Sequence, residues 1–172
     1  MSSNSRKALV GLVALSILSA CSGGMGGSDD QSAEAAAFFM EQNGRQAGVE
    51  TLPSGVQYRV DRAGSPDAAQ PDSNDLVMVN YEGRLTDGTV FDSSYQAGRP
   101  ASFALDGLIP AWEEAIPHMR VGDEWTLWVP PAEGYGAEGS GPIPPNSVLV
   151  FKIELLNVAP VPGGTPAGAQ QG

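Results

Sequence analysis

Residues 76–92 read LVMVNYEGRLTDGTVFD. Val77, Val79 and Tyr81 alternate with Met78 and Asn80, the period-two pattern of a strand with one buried face. Asp87-Gly88 lies between Leu85 and Val90-Phe91. That dipeptide suits a tight hairpin, because Gly takes positive φ without steric cost. The stretch therefore reads as a strand, a turn and the start of an antiparallel partner.

Further strands follow on both sides. Upstream, Val56, Tyr58 and Val60 alternate with Gln57 and Arg59, which reads as a strand. Downstream, Phe103 and Leu105 make a short alternating strand. Residues 124–129 form another, stopped by Pro130-Pro131, and residues 148–158 form the last, with Leu149, Phe151, Ile153 and Leu155 on one face. Pro110 suits the first position of a short helix ending near Pro117, with Trp112 and Ile116 one turn apart on its inner face. The expected fold is α+β, with five or six strands and one short crossing helix over residues 49–159.

The flanks are different in character. Residues 33–42 (AEAAAFFMEQ) are helix formers, with Asp30 or Ser32 as N-cap and Ala36, Phe39 and Met40 as a narrow apolar stripe. A short N-terminal packing helix is expected over 33–48. Residues 22–31 (SGGMGGSDDQ) read as a flexible tether, and 160–172 as a disordered tail rich in Pro, Gly and Gln.

The chain has 172 residues, 20 acidic against 9 basic side chains, one cysteine and one histidine. One cysteine excludes an intramolecular disulfide framework and a CxxC site. A single histidine excludes a His-rich metal cluster, so neither metal nor cofactor is expected. A net charge of −11 argues against nucleic acid as partner, since phosphate binding needs clustered Lys and Arg. Residues 134–139 match GxGxxG, but Pro-Pro precedes them and GPIPP follows, so the strand-turn-helix of a dinucleotide site is missing. No GxSxG elbow occurs. His118, at a helix end, is read as structural or surface. Glu113, Glu114, Asp123 and Glu124 read as a solvated surface, and no carboxylate pair is singled out.

Arg6 and Lys7 precede an apolar run of about eleven residues, too short to span a bilayer by the ~20-residue criterion and shaped like a secretory signal. It ends Leu18-Ser19-Ala20-Cys21, which resembles the bacterial lipobox. That resemblance implies cleavage after residue 20 and lipidation of Cys21, with 21–32 as the lipidated Cys and tether. Ser22, rather than Asp, implies sorting to the outer membrane. An ordinary cleaved signal with Cys21 nearby is the alternative. Cleavage removes Arg6 and Lys7 and no acidic residue, so the mature body is more acidic still and is repelled by anionic lipid.

With covalent chemistry nearly absent, the aromatics stand out: Tyr81, Phe91, Trp112, Tyr135 and Phe151. Any one alone reads as core. Phe91-Asp92 directly follows a hairpin turn, Ile109 and Trp112 straddle a helix start, and Tyr135 lies in a Gly-rich loop over 131–145 taken to be mobile. Four segments carry a resemblance: 79–83 (VNYEG), 87–94 (DGTVFDSS), 108–114 (LIPAWEE), and Tyr135-Gly136 with 143–151 (IPPNSVLVF). In this order and near this spacing they resemble the FKBP-type peptidyl-prolyl isomerases over about residues 51–158. Residues 48–49 and 52–58 (LPSGVQY) are similar to the branch containing the macrophage infectivity potentiators. In that branch a long N-terminal helical region makes a dimer, and here only 33–47 is available, so a monomer is expected.

The resemblance implies a half-wrapped antiparallel sheet around a short α-helix, and a proline pocket. Trp112 would be its floor, with Tyr81, Phe91, Leu108, Ile109 and Phe151 as walls. Phe103 and Ile143 would also bind substrate. Tyr135 would place a hydroxyl at the rim, Ile109 a backbone N–H, and Asp92 a buried carboxylate beside Tyr81. The implied activity is Xaa-Pro isomerisation in envelope or secreted proteins, with unfolded or partly folded Pro-containing chains as substrates and macrolides as candidate inhibitors. Ala101 stands where many members have an aromatic, and the 139–143 loop is about one residue shorter than in the small eukaryotic members and lacks their His. Both bear on substrate preference and macrolide affinity. The alternative is a non-catalytic envelope chaperone that holds Pro-containing segments in the same pocket.

Overall fold

A computed structural model describes residues 27–167, with side chains from residue 32 onward. The signal segment, Cys21 and the first part of the tether lie outside the described residues. Helix α1 spans Gly27–Asn43. Strands β1 (Glu50–Thr51), β2 (Gln57–Arg62), β3 (Leu76–Leu85), β4 (Val90–Ser93) and β5 (Ala101–Ala104) follow. Then come helix α2 (Pro110–Ala115) and strands β6 (Glu124–Val129) and β7 (Leu149–Ala159).

All seven strands join one antiparallel sheet in the order β1-β2-β6-β7-β3-β4, with β5 also paired to β3. The strand beyond the expected six is the two-residue β1, too short to show a period. β3 is the hub: it pairs with β7 along its whole length, Leu76 opposite Ala159 and Leu85 opposite Leu149. Val77, Val79 and Tyr81 are buried on the face that wraps α2, together with Leu149, Phe151, Ile153 and Leu155 of β7. α2 contributes Trp112 and Ala115 and continues into a 3₁₀ turn carrying Ile116, which is fully buried.

The other face of the sheet has its own cover. Ala36 and Met40 of α1 pack on Trp128, Val148 and Val150, with Phe39 at the edge. This is why β6 is buried on both faces and shows no alternation along its last five residues. The helix starts at Gly27, inside the segment expected to be a flexible tether. Nucleation is the costly step in helix formation, and once the docked turns exist each further residue adds one backbone bond.

Several local expectations are corrected. Gln57 is buried and Val60 is 43% exposed, the reverse of a pure hydrophobic alternation. Gln57 accepts a hydrogen bond from Asn43 Nδ2 at 2.8 Å and donates to the Met40 carbonyl at 2.8 Å, so it satisfies the C-terminal end of α1. Asp123 is buried rather than solvated. It accepts the N–H groups of Gly64 at 2.5 Å and Arg120 at 2.9 Å, tying the 63–73 loop to the turn before β6. The tail is not free from residue 160. Val161 N–H donates to buried Asp75, and Ser73 and Thr165 exchange backbone and hydroxyl hydrogen bonds.

Candidate active site

The hub strand brings two site positions onto one face, Tyr81 and, two residues on, Gly83. Gly83 lies opposite Asp92 of β4 on one side and Phe151 of β7 on the other. A Cβ at Gly83 would fall 2.6 Å from Phe91 Cε2 and 2.8 Å from Phe151 Cε1. The missing side chain is what lets those two rings meet, edge to face, with centroids 5.7 Å apart.

α2 supplies the floor. Pro110 at its start restricts Ile109 to extended backbone, which turns the chain so that Trp112 enters the core one turn later. The Trp112 ring stands nearly perpendicular to three neighbours: Tyr81 at 5.3 Å, Phe103 at 5.8 Å and Phe151 at 5.3 Å. Edge-to-face pairs of this kind favour the ring quadrupoles and fix each ring's tilt. Trp112 is 4% exposed. Its indole N–H has no hydrogen-bond partner among the described residues.

Above that floor is a cavity of about 390 Å³, walled by Tyr81, Phe91, Phe103, Leu108, Ile109 and Phe151, with Asp92, Gly107 and Tyr135 at its mouth. The Ile109 carbonyl accepts the N–H groups of Trp112 and Glu113 at 2.9 and 3.2 Å. Its own N–H has no partner among the described residues.

Tyr81 donates its hydroxyl to Asp92 Oδ2 at 2.5 Å. Burial, then this bond and the Asp92 charge, raise the Tyr81 phenol well above its ordinary range. Asp92 itself is exposed, which corrects the expected buried carboxylate. It sits at the lip, and only its bond to Tyr81 ties it to the pocket. Ser94, buried at 3%, accepts the Tyr81 N–H at 2.8 Å and so locks the end of β4 to the hub strand.

Tyr135 is 38% exposed at the rim. Its loop is held rather than loose: Gly136 N–H donates to the Pro131 carbonyl at 2.8 Å, Gly139 N–H to the Tyr135 carbonyl at 3.1 Å, and Asn146 N–H to the Gly136 carbonyl at 2.9 Å. Gly139 has φ +68°, and a Cβ there would lie 2.3 Å from the Ile143 carbonyl oxygen. Among the described residues no helix follows the GxGxxG match.

Of the positions read from sequence, the structure gathers Tyr81, Phe91, Asp92, Phe103, Leu108, Ile109, Trp112, Tyr135 and Phe151 at one cavity. Ile143 is not there. It is 7% exposed and packed in the main core, held by paired bonds with Ser140 at 2.9 and 3.0 Å. Gly83, Ser94 and Gly107 went unread as site residues. Gly83 lies within residues 76–92, where a glycine amid strand residues signals close approach of a neighbour. Among the described residues no group of three His, Cys, Asp or Glu is placed to hold a metal ion. No helix among them is long and apolar enough to cross a membrane.

An aromatic-floored cleft on a half-wrapped antiparallel sheet is the arrangement of the proline-pocket class of isomerase fold. Residues 67–156 match the FKBP-type peptidyl-prolyl cis-trans isomerase family, and residues 26–60 match the domain amino-terminal to it. The chain belongs to the FKBP-type peptidyl-prolyl cis-trans isomerase family. It is 47% identical over 127 residues to the peptidyl-prolyl cis-trans isomerase Mip of Coxiella burnetii, covering 73% of this chain and 54% of the relative. It is 45% identical over 124 residues to the isomerase FkpA of Escherichia coli K12, covering 72% and 45%. The outer membrane protein MIP of Legionella longbeachae is 45% identical over 121 residues, covering 70% and 51%. The chain thus spans about half the length of these curated relatives. In structure it resembles E. coli FkpA with a TM-score of 0.73 at 41% identity, covering 78% of this chain and 62% of that one. A Pseudomonas syringae isomerase gives 0.71 at 37% identity, covering 76% and 96%.

Proposed function

We propose that this protein catalyses cis–trans rotation about Xaa-Pro bonds in proteins of the bacterial cell envelope, using the Trp112-floored cavity. The observation that carries it is the arrangement of three rings perpendicular to Trp112 around an open cleft lined mainly by aromatic and aliphatic side chains.

The chemistry needs no more. Rotation about a peptide bond is opposed by ~18–20 kcal/mol of resonance, and Xaa-Pro isomerises over tens to hundreds of seconds. In the twisted transition state the C–N bond loses double-bond character, so the carbonyl loses charge and the nitrogen becomes pyramidal. A planar amide is well solvated by water, and a dry aromatic site favours the less polar twisted form. Trp112, Phe91, Phe103, Leu108 and Phe151 hold the prolyl ring. The unpaired Ile109 N–H and the Tyr135 hydroxyl hold carbonyls of the bound chain. Asp92 orients Tyr81 through their hydrogen bond. No proton changes hands.

Phe91→Ala tests this: Phe91 is only half-buried, so the variant is expected to stay folded and lose tenfold or more in kcat/KM on a Leu-Pro peptide in a protease-coupled assay. Full activity in the folded variant refutes the site. Peptide binding without rate enhancement in the unaltered chain supports a holding module instead.

The envelope setting rests on the lipobox-like Leu18-Ser19-Ala20-Cys21 and on the outer-membrane name of a relative. The mature chain begins at Cys21, lipid-anchored in the outer membrane. Incorporation of labelled palmitate that Cys21→Ser abolishes is the expected result. The body over 49–159 acts as a monomer, since the apolar stripe of α1 is spent on its own sheet; one sedimentation measurement tests that. Macrolides compete for the same cavity, with affinity reduced by Ala101 on the adjoining wall.

A further inference from the structure

Arg99 is the only Lys or Arg side chain among the described residues with no partner. Arg45, Arg59, Arg62, Arg84 and Lys152 each ion-pair with a carboxylate. Arg120 donates to the Ala68 carbonyl at 3.2 Å. Only the backbone N–H of Arg99 is engaged, donating to the Ser94 carbonyl at 3.3 Å. Its exposed guanidinium is uncommitted in a chain of net charge −11, where carboxylates outnumber cations about twofold and a pairing partner would be easy to supply.

Its position gives a reason. Arg99 lines a second groove of about 420 Å³ with Ser93, Ser102 and Ala101. Tyr81 and Asp92 line both this groove and the aromatic cavity. The two are thus neighbouring compartments that share those two residues. Ala101 leaves the second compartment unfilled by a large side chain. The acidic body repels anionic peptides at long range, so an acidic residue there is tolerated only with a local counter-charge.

We infer that this groove is a subsite for the residue flanking the substrate proline, and that Arg99 selects an acidic side chain, Asp or Glu, at that position. The inference rests on the isomerase reading of the cavity and names its substrate class. The rigid planar fork of Arg matches a carboxylate bidentately, and Asp92, which also lines the groove, already accepts the Tyr81 hydroxyl.

The experiment uses the mature chain and labelled peptides with Glu, Leu or Lys immediately before the proline, and a second set with them immediately after. Affinity is read by fluorescence anisotropy and turnover by the coupled assay. In the unaltered chain the Glu peptide is expected to bind two- to five-fold more tightly than the Lys peptide in one of the two sets, the range for a solvent-exposed ion pair. Arg99→Ala is expected to remove that ratio and Arg99→Glu to invert it. An Arg99→Glu chain whose Glu-to-Lys ratio is unchanged in both sets overturns the inference, including the case where all peptides weaken together because Arg99 acts only on Asp92. The affinity ratio decides the role of Arg99 whether or not turnover occurs; absence of turnover on every peptide tells only against the isomerase reading.

Discussion

Replacing Gly83 by alanine is a one-carbon perturbation aimed at the pocket wall from behind. Gly83 has ordinary strand geometry and is not among the positive-φ glycines, so alanine can adopt its backbone. The added methyl would lie 2.6 and 2.7 Å from Phe91 Cε2 and Cζ, and 2.8 Å from Phe151 Cε1. Carbon atoms rest about 3.5–4.0 Å apart, so one or both rings must retreat by roughly 1 Å. Neither ring swings freely: each belongs to a strand paired directly to Gly83's own, and Phe151 is also braced against Trp112. Overpacking of this kind costs ~1–3 kcal/mol. The lower chain entropy of alanine offsets ~0.5–1 kcal/mol of that.

The net loss, on the order of 1–2 kcal/mol, lowers Tm by a few degrees at ~2–4 °C per kcal/mol for a chain of this size. The effect on rate is expected to be larger. On the proposed reading Phe91 and Phe151 hold the prolyl ring, and a 1 Å misplacement in a positioned site costs up to ~100-fold. Gly83→Ala should therefore melt within about 10 °C of the unaltered chain, yet lose tenfold or more in kcat/KM on a Leu-Pro peptide. A folded variant with unchanged kcat/KM would show that these rings do not form the working surface, and the site assignment would fall with it.

Tyr81 keeps its proton well above pH 10 through burial and its bond to Asp92, so in a Tyr135→Phe chain kcat/KM is expected to stay level up to about pH 10, where an ordinary tyrosine is half ionised; a fall centred there refutes that protection. Gln57→Leu leaves the buried Asn43 amide N–H without its acceptor and takes one of two donors from the Met40 carbonyl, which keeps the Gly44 N–H, at a cost of ~1–3 kcal/mol. Amide exchange should accelerate along α1 while peptide affinity holds, and equal acceleration at Trp112 would contradict separate packing of the two sheet faces. Glu154 is held below the usual carboxylate range by hydrogen bonds from Asn80 and then Arg62. A depressed folded pKa stabilises above the unfolded value and is lost as pH falls through the folded one. The stability of Glu154→Gln should thus decline less steeply between about pH 5 and 3, and parallel acid melts would rule that out.

What was legible from sequence was what repeats or punctuates. Val77-Val79-Tyr81 and Leu149-Phe151-Ile153-Leu155 announce their face by period two. Asp87-Gly88 and Pro110 mark a turn and a helix start by backbone geometry alone. Burial that depends on a distant partner was not legible. Gln57 is polar and buried because α1, fourteen residues earlier at Asn43, needs its terminal groups satisfied. Asp123 is buried because two loop N–H groups converge on it, and nothing local announces that. The tail reads as disordered by composition, yet Thr165 finds Ser73 across 92 residues. Ile143 was placed in the pocket because its motif flanks Tyr135, but the turn from Ser140 directs it into the core. Most residues of the candidate cavity were legible through the order and spacing of four segments, since each aromatic alone reads as core; Gly83 was not, because its contribution is an absence.

The same rings hold the fold and line the site, and this limits which substitutions report on function. Trp112 touches Tyr81, Phe103 and Phe151 and is 4% exposed. Truncating such a residue costs ~3–5 kcal/mol, a large part of the 5–15 kcal/mol that stabilises a typical domain. Loss of activity in Trp112→Ala would therefore say little about catalysis. Phe91 sits half-exposed on a short strand, and Asp92 and Arg99 are exposed at the lip, so substitutions there change the site while leaving the core intact. A reaction that makes no covalent bond places its demands on shape and dryness, which are also the demands of a core. In this chain the two separate only at the mouth, where Asp92, Tyr135 and Arg99 meet water, and that is where differences in substrate preference are free to arise without loss of the fold.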